Sequence, residues 1–293
     1  MRVLVVGRLG QVGTELARRL PAAGHESLSL EPPELDLLQP ATVRAALDAF
    51  RPDILVNAAA YTAVDKAEDD SALAHAINHH GTALLGRETA RLGVPLIHFS
   101  TDYVFAGDKP APYVESDPTG PVGVYGASKL AGDLALAAAN PRHVVLRTAW
   151  VCSAHGGNFV KTMLRLGRER PELGVVADQH GAPTFADDLA DAVLALLPRL
   201  VAAPAGDAGF GTFHLTGQPF TTWHGFAEAI FAGAAARGQK PPLLRAIATA
   251  DYPTRARRPA NSRLDCSRIA AVHGIHAADW RASLDRCLGD LLG

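Results

Sequence analysis

The sequence predicts an α/β fold, a doubly wound parallel sheet with a smaller C-terminal lobe. Three observations carry that expectation. Short β-branched runs alternate with longer helical stretches through the first half, as in strands joined by crossover helices. A glycine-rich loop separates the first run from the first helix. After about residue 150 the alternation loosens, and Gly156-Gly157, Gly181-Ala182-Pro183 and Gly217-Gln218-Pro219 punctuate the chain. Residues 1–150 are therefore read as mainly a dinucleotide-binding domain. Residues 151–293 are read as mainly a substrate-binding lobe, with segments returning to the first domain.

Val3 to Val6 is the first expected strand and Gly13 to Ala23 the helix after it. Glu26 to Leu30 reads as a second strand. Ala41 to Phe50 has helical spacing and leads through Arg51-Pro52 to a third strand, Ile54 to Asn57. A helix near Ala72 to Leu92 precedes a strand at Pro95 to Ser100. Tyr125 to Ala139 is rich in good helix formers, and His143 to Thr148 is again a strand. Continuous apolar strands of this kind suit a sheet buried on both faces. Further helices are expected near Ala186 to Leu200 and Thr222 to Ala235, with a surface loop at Pro204 to Gly211.

The composition excludes several function classes. Of the 293 residues, 48% are hydrophobic and 20% charged, and the net charge of -2 offers no nucleic-acid-binding face. Arg255, Arg257 and Arg258 form a small basic cluster that suits a phosphorylated small molecule better than a DNA path. The three cysteines, Cys152, Cys266 and Cys287, lie far apart, with neither metal-ligand nor disulfide spacing. A reducing cytoplasm is the expected location. The first apolar run, Val3 to Val6, is too short for a secretory core, and no later stretch has the length and apolarity to span a membrane.

Gly7-Arg8-Leu9-Gly10-Gln11-Val12-Gly13 lies between strand and helix. Glycines there allow a tight turn, admit a pyrophosphate to the backbone and bring helix against strand, and the helix N-terminus offers free N–H groups to the anion. The loop predicts a nicotinamide dinucleotide, held as in Rossmann-type folds. Two signals on cofactor choice oppose each other. Glu31 or Asp36 suits free ribose hydroxyls, whereas Arg8 suits a 2′-phosphate, so NADH and NADPH both stay open.

Tyr125-Gly-Ala-Ser-Lys129 puts a phenol and an ammonium at i and i+4, on one helix face. A fixed positive charge beside a phenol favours its ionisation and makes it a usable acid near neutrality. Such pairs are common on surface helices, and the context gives this one meaning. Ser100-Thr101-Asp102-Tyr103 emerges at the carboxyl end of a strand, where open α/β sheets bind ligands, so Thr101 is expected to hydrogen-bond a substrate carbonyl. His79-His80 reads as a polar helix face, Asp69-Asp70 as a solvated helix end, and Trp223 and Trp280 as packing residues.

With GRLGQVG at Gly7, NAAAYTAVDKAE at Asn57, STDYVF at Ser100, YGASK at Tyr125, RTAWV at Arg147, DQHGAPT at Asp178 and RPANSRLD at Arg258, the chain resembles the extended short-chain dehydrogenase/reductases almost end to end. It is most similar to their branch that reduces 4-keto dTDP-deoxysugars. The resemblance implies reduction of the C4 keto group of dTDP-6-deoxy-L-lyxo-4-hexulose to dTDP-L-rhamnose by NADH or NADPH, in a monomer or homodimer. It implies Thr101, Tyr125 and Lys129 as the catalytic set. The cofactor would be held by Gly7, Arg8, Leu9, Gly10, Gln11, Val12, Gly13, Asp36, Leu37, Ala58, Ala59, Ala60, Tyr61 and Asn78, with Tyr125 and Lys129. Thr101, Asp102, Tyr103, Trp150, Asn158, Arg258 and Asn261 would meet the sugar nucleotide. Where the family usually has tyrosine after RTAWV, this chain has Cys152, so a contact near the sugar is expected to differ. Some members bind Mg²⁺ through glutamates between subunits; the matching carboxylates here are Glu15, Asp187 and Asp290. Two other readings share this scaffold: a 4-ketoreductase of another dTDP-deoxysugar, and a non-catalytic regulatory subunit like the methionine adenosyltransferase β subunit. The intact Tyr125–Lys129 pair favours catalysis.

Overall fold

Alternation along each apolar strand builds two cores at once, because successive side chains leave a strand on opposite faces. In the computed structural model, which describes residues Met1–Gly293, strand β1 (Arg2–Val6) sends Val3 and Val5 into one core and Leu4 and Val6 into the other. The chain continues through α1 (Gln11–Ala22), β2 (Glu26–Leu30), α2 (Pro40–Phe50) and β3 (Ile54–Asn57). Two short helices, α3 (Val64–Ala67) and α4 (Ser71–His75), lead into a π-helical segment (Ala76–Gly81) and α5 (Thr82–Leu92). Then come β4 (Leu96–Thr101), α6 (Val124–Ala139) and β5 (His143–Thr148). The expected strands and helices of this half are all present, except that the single helix expected from Ala72 to Leu92 is broken by the π-helical segment.

The second half adds β6 (Val151–Cys152), α7 (Phe159–Glu169), β7 (Glu172–Val176), β8 (His180–Gly181) and β9 (Thr184–Phe185). It ends with α8 (Ala186–Ala202), β10 (Gly211–His214), β11 (Thr221–Thr222), α9 (Trp223–Ala235), β12 (Leu243–Ile247), α10 (Ser267–His273) and α11 (Trp280–Leu292). Six parallel strands form one sheet in the order β10-β5-β4-β3-β1-β2. The order reverses between β1 and β3, the switch point at which such sheets open a crevice at their carboxyl ends. Helices α1 and α8 bring Leu16, Leu20, Leu189, Val193 and Leu196 onto one face. Residues of α2, α5 and α6, among them Val43, Leu47, Leu85 and Leu136, cover the other.

A separate core lies outside the sheet. Val160, Met163, Phe226, Ile230, Trp280 and Leu288 pack together from α7, α9 and α11. Trp280 is a packing residue, as expected, and its indole N–H donates to Pro219 O at 2.6 Å. Cys152 belongs to this core, paired in register with Phe185. The expected change in sugar contact is therefore corrected: the thiol is buried among apolar side chains, and its effect is on packing. No helix is long and apolar enough to cross a membrane.

Candidate active site

A cleft of about 850 Å³ runs along the carboxyl ends of β1, β3, β4 and β5. The glycine loop forms one wall. Gly7 has φ of 98°, and a Cβ there would stand 2.6 Å from Ala59 N; one on Gly13 would stand 1.9 Å from Gly7 O. These two glycines are dictated by backbone approach. Gly10 precedes α1 without any side-chain cap, which leaves the first N–H groups of the helix available to an anion. Leu9, Gly10, Gln11, Val12, Asp36, Leu37 and Ala58 to Ala60 line the cleft with Gly7. Arg8 is exposed outside that lining, and Gly13 is buried beneath it. Glu31 also lines the cleft, its carboxylate accepting the Leu9 N–H at 2.9 Å. A pyrophosphate-bearing dinucleotide fits this bare helix terminus and close-approach glycine loop.

The π-helical turn explains Asn78. One extra residue in the turn carries this side chain, only 1% exposed, into the protein, where its Oδ1 accepts the Tyr61 N–H at 2.8 Å. Its Nδ2 donates to Tyr61 O at 3.1 Å and to Ser128 Oγ at 3.0 Å. Asn78 thus ties the loop after β3 to α6, as a supporting residue behind Ala58 to Ala60. Such π turns recur at functional sites.

Helix α6 presents Tyr125 and Lys129 to the cleft. Its N-terminus is capped from a distance: Glu68 Oε1 accepts the Val124 N–H at 2.9 Å. The helix lies unusually close to its neighbours, since a Cβ on Gly126 would meet Tyr103 O at 2.1 Å. Thr101, at the end of β4, donates from Oγ1 to Asp102 Oδ1 at 3.0 Å and accepts from Tyr103 N–H at 3.2 Å. The Tyr125 phenol stands beside Thr101, and its ring meets Tyr103 edge-on at 5.6 Å. Burial pushes the phenol well above its ordinary value, with neighbouring Thr101 opposing. Lys129 is only 1% exposed; burial lowers it to about 8, against the attraction of Asp133. Burial likewise raises Asp102 to about 6, and its Oδ2 has no partner.

Trp150 has a φ of 50°, a conformation strained for a bulky residue. Its ring lines the cleft, stacked on Trp223 with centroids 3.7 Å apart, while its edge fills the space left by Gly181, where a Cβ would lie 2.6 Å away. Trp223, expected as packing, therefore supports a cleft wall.

Three expected contacts are placed elsewhere. Asn158 caps α7 by accepting the Lys161 N–H at 3.1 Å, and its Nδ2 donates to Gln11 Oε1 at 2.9 Å. It ties the lobe to the glycine loop and does not line the cleft. Asn261 is fully engaged: Nδ2 donates to Lys109 O and Ala111 O at 2.7 and 2.9 Å, while Oδ1 accepts from Arg263. Arg258 pairs with Asp65 at 2.8 Å, beside Tyr103, outside the cleft lining.

The Mg²⁺ expectation is corrected. Glu15 accepts from Arg18 and Arg19 at 2.7 and 3.2 Å, Asp187 pairs with Arg286 at 2.9 Å, and Asp290 acts on Arg18. Guanidinium groups pair with Glu15 and Asp187, and no set of three potential ligands is arranged around a common point.

Sequence reasoning missed Glu68, His98 and Asp133. His98 stands 0% exposed within an apolar strand, and its position three residues before Thr101 was the one available signal.

Residues 1–292 match the family model described as RmlD substrate binding domain. The chain is 46% identical over 293 residues to a dTDP-4-dehydrorhamnose reductase of Sinorhizobium fredii, covering 100% of this chain and 98% of that protein. Among solved structures, a dTDP-4-dehydrorhamnose reductase of Clostridium acetobutylicum superposes with a TM-score of 0.92 at 33% identity, covering 99% of each chain. Another, from Bacillus anthracis in complex with NADP, superposes with a TM-score of 0.91 at 32% identity, again over 99% of each.

Proposed function

The chain belongs to the RmlD substrate binding domain family, and on that premise we propose that it reduces the C4 keto group of dTDP-6-deoxy-L-lyxo-4-hexulose to give dTDP-L-rhamnose, using NADH or NADPH. One observation carries the reading. Thr101, Tyr125 and Lys129 meet at the carboxyl edge of the sheet, in the same cleft as a glycine loop built for a dinucleotide.

The dihydronicotinamide, when bound, supplies the hydride to the carbonyl carbon. Every other task falls to side chains of this chain. Tyr125 gives its proton to the developing alkoxide. Its raised pKa keeps that proton in place at neutral pH, the state a proton donor needs. Thr101, beside the phenol, aligns the substrate carbonyl. Lys129, fixed by donation to Phe99 O at 2.7 Å, stands one helical turn along from Tyr125, where its charge favours proton release. Trp150, backed by Trp223, packs on the sugar. We assign the cofactor to the first 150 residues and part of the sugar wall to the following lobe. Its three free cysteines fit a reducing cytoplasm.

Tyr125→Phe tests the constellation. The variant should fold and bind cofactor, while turnover falls by about 10²- to 10⁴-fold, the usual contribution of a positioned acid. Near-normal turnover in that variant would remove Tyr125 from the mechanism.

A further inference from the structure

Behind Lys129 lies a buried polar chain that none of these steps uses. Lys129 Nζ is 3.1 Å from His98 Nε2. His98 Nδ1 is 3.0 Å from Asn57 Nδ2, and Asn57 Oδ1 accepts the Ala59 N–H at 3.2 Å, at the cofactor wall. Asp133, one turn beyond Lys129 on α6, places Oδ1 3.7 Å from His98 Nε2. Its Oδ2 accepts from Ser100 Oγ at 2.7 Å and lies 3.5 Å from Arg147 Nε. Asn57 and His98 are wholly buried, and Lys129, Asp133, Ser100 and Arg147 nearly so.

Donor and acceptor accounting makes this chain informative. A neutral imidazole has one N–H and one lone pair, while an ammonium has only donors. The Ala59 N–H holds the Asn57 amide with its NH₂ toward His98, so Nδ1 accepts and the imidazole proton belongs on Nε2. That proton faces Lys129 Nζ, and two donors do not hydrogen-bond to one another. With Lys129 as a neutral amine, Nε2–H donates to its lone pair. With Lys129 as an ammonium, the imidazole proton must move to Nδ1 and the Asn57 amide must turn over. The charge of Lys129 and the tautomer of His98 are therefore one equilibrium.

We propose that His98, backed by Asp133, is the positioning residue of Lys129, and that its tautomer switches with the charge of the lysine. The groups facing the pair are Asp133 and Tyr125 from α6, Arg147 from β5, Ser100 from β4 and Asn57 from β3, with Asp102 just past β4. Asp133 is the anion that acts on Lys129, raising its proton affinity against burial, and Arg147 competes for the same carboxylate. Burial and the lysine charge hold His98 far below its ordinary value, so the imidazole stays neutral while Lys129 titrates. The idea rests on the cofactor-site role of Lys129 given above, but its deciding titrations need no substrate.

The measurement is ¹⁵N NMR of the full chain with labelled histidine, from pH 6 to 10. In the wild type, the His98 Nε2 signal should pass from acceptor-like to N–H-like as pH rises, with a midpoint near the lysine value of about 8 and no imidazolium. Lys129→Met should abolish the transition. Asp133→Asn should lower the midpoint by about 1 pH unit and carry the alkaline limb of kcat/KM down with it. A purely structural role for Asp133 would leave the midpoint unmoved. A His98 signal constant over the range, or a folded Asp133→Asn protein with an unmoved midpoint, overturns the proposal. If Asp133→Asn does not fold, the wild-type and Lys129→Met titrations still decide it. A chain that fails to reduce any keto-sugar yet shows the transition would overturn the functional reading alone.

Discussion

At the residue scale, burial sets the chemistry of the cleft. Asp102 is 3% exposed, and burial lifts its pKa from the ordinary 3.8 to about 6 in the folded state. The folded state holds this proton more tightly than the unfolded chain does. The resulting stabilisation is complete below the unfolded value and is lost as pH rises through about 6. Asp102→Asn should therefore raise stability at pH 7.5 by roughly 1–3 kcal/mol and change it little at pH 4, read by denaturant melts at both. Equal shifts at the two pH values would contradict the burial argument. Glu31 raises the second issue at this scale. Glu31 lines the cleft and accepts the Leu9 N–H, while Arg8 stays outside the lining; a carboxylate that met the adenosine ribose would oppose a 2′-phosphate. Glu31→Gln should raise the ratio of kcat/KM for NADPH to that for NADH by roughly 10-fold, about 1.4 kcal/mol of removed repulsion. An unchanged ratio from initial rates with the two cofactors would assign the choice elsewhere. The glycine loop, Thr101, Tyr125 and Lys129 were legible in the sequence because each has a local signal: a loop between strand and helix, the carboxyl end of a strand, and a pair on one helix face. His98 and Asp133 were not, because their role depends on pairing across β4 and α6.

At the element scale, the catalytic helix is placed by contacts too close for a side chain. A Cβ on Gly132 would lie 2.1 Å from Asn78 O, so α6 and the π-helical turn touch backbone to backbone. Alanine is the better helix former by about 1 kcal/mol, yet Gly132→Ala should destabilise the protein by roughly 1–3 kcal/mol through overpacking. Gly289→Ala, on α11, meets nothing nearer than 4.0 Å and should be neutral or mildly stabilising. Melting curves of the two variants check the pair, and a stabilised Gly132→Ala would refute the close packing. Strands such as Ile54–Asn57 and His143–Thr148 were readable because both their faces are buried and each holds a three-residue apolar run. The π-helical turn was not, because one inserted residue leaves the apolar spacing of Ala72 to Leu92 nearly intact. Helix α11 escaped notice for a related reason: only one side of it meets the second core, through Trp280, Leu284 and Leu288.

At the scale of the whole molecule, the sheet with its two packed faces and the separate core beside it meet at the cleft. The sheet supplies the glycine loop and the Thr101–Tyr125–Lys129 set, and β10 returns from the second half to extend that sheet beside β5. The other core holds Trp223 behind Trp150 and anchors Asn158, which reaches Gln11. Sequence patterns showed the sheet clearly. They gave Asn158 and Asn261 as ligand contacts because a motif records which residues recur near a site, not which atoms are already satisfied; in the fold both amides are spent on loop backbone and neighbouring side chains. The proposed reduction of a 4-keto-sugar nucleotide rests on a dinucleotide cradle joined to a sugar wall. The most direct test is to supply the purified chain with dTDP-6-deoxy-L-lyxo-4-hexulose and NADH or NADPH, follow oxidation of the cofactor and identify the product by NMR. Stoichiometric oxidation with dTDP-L-rhamnose as the product is the expected result. A product with a different configuration at C4, or no oxidation of either cofactor, would contradict the assignment.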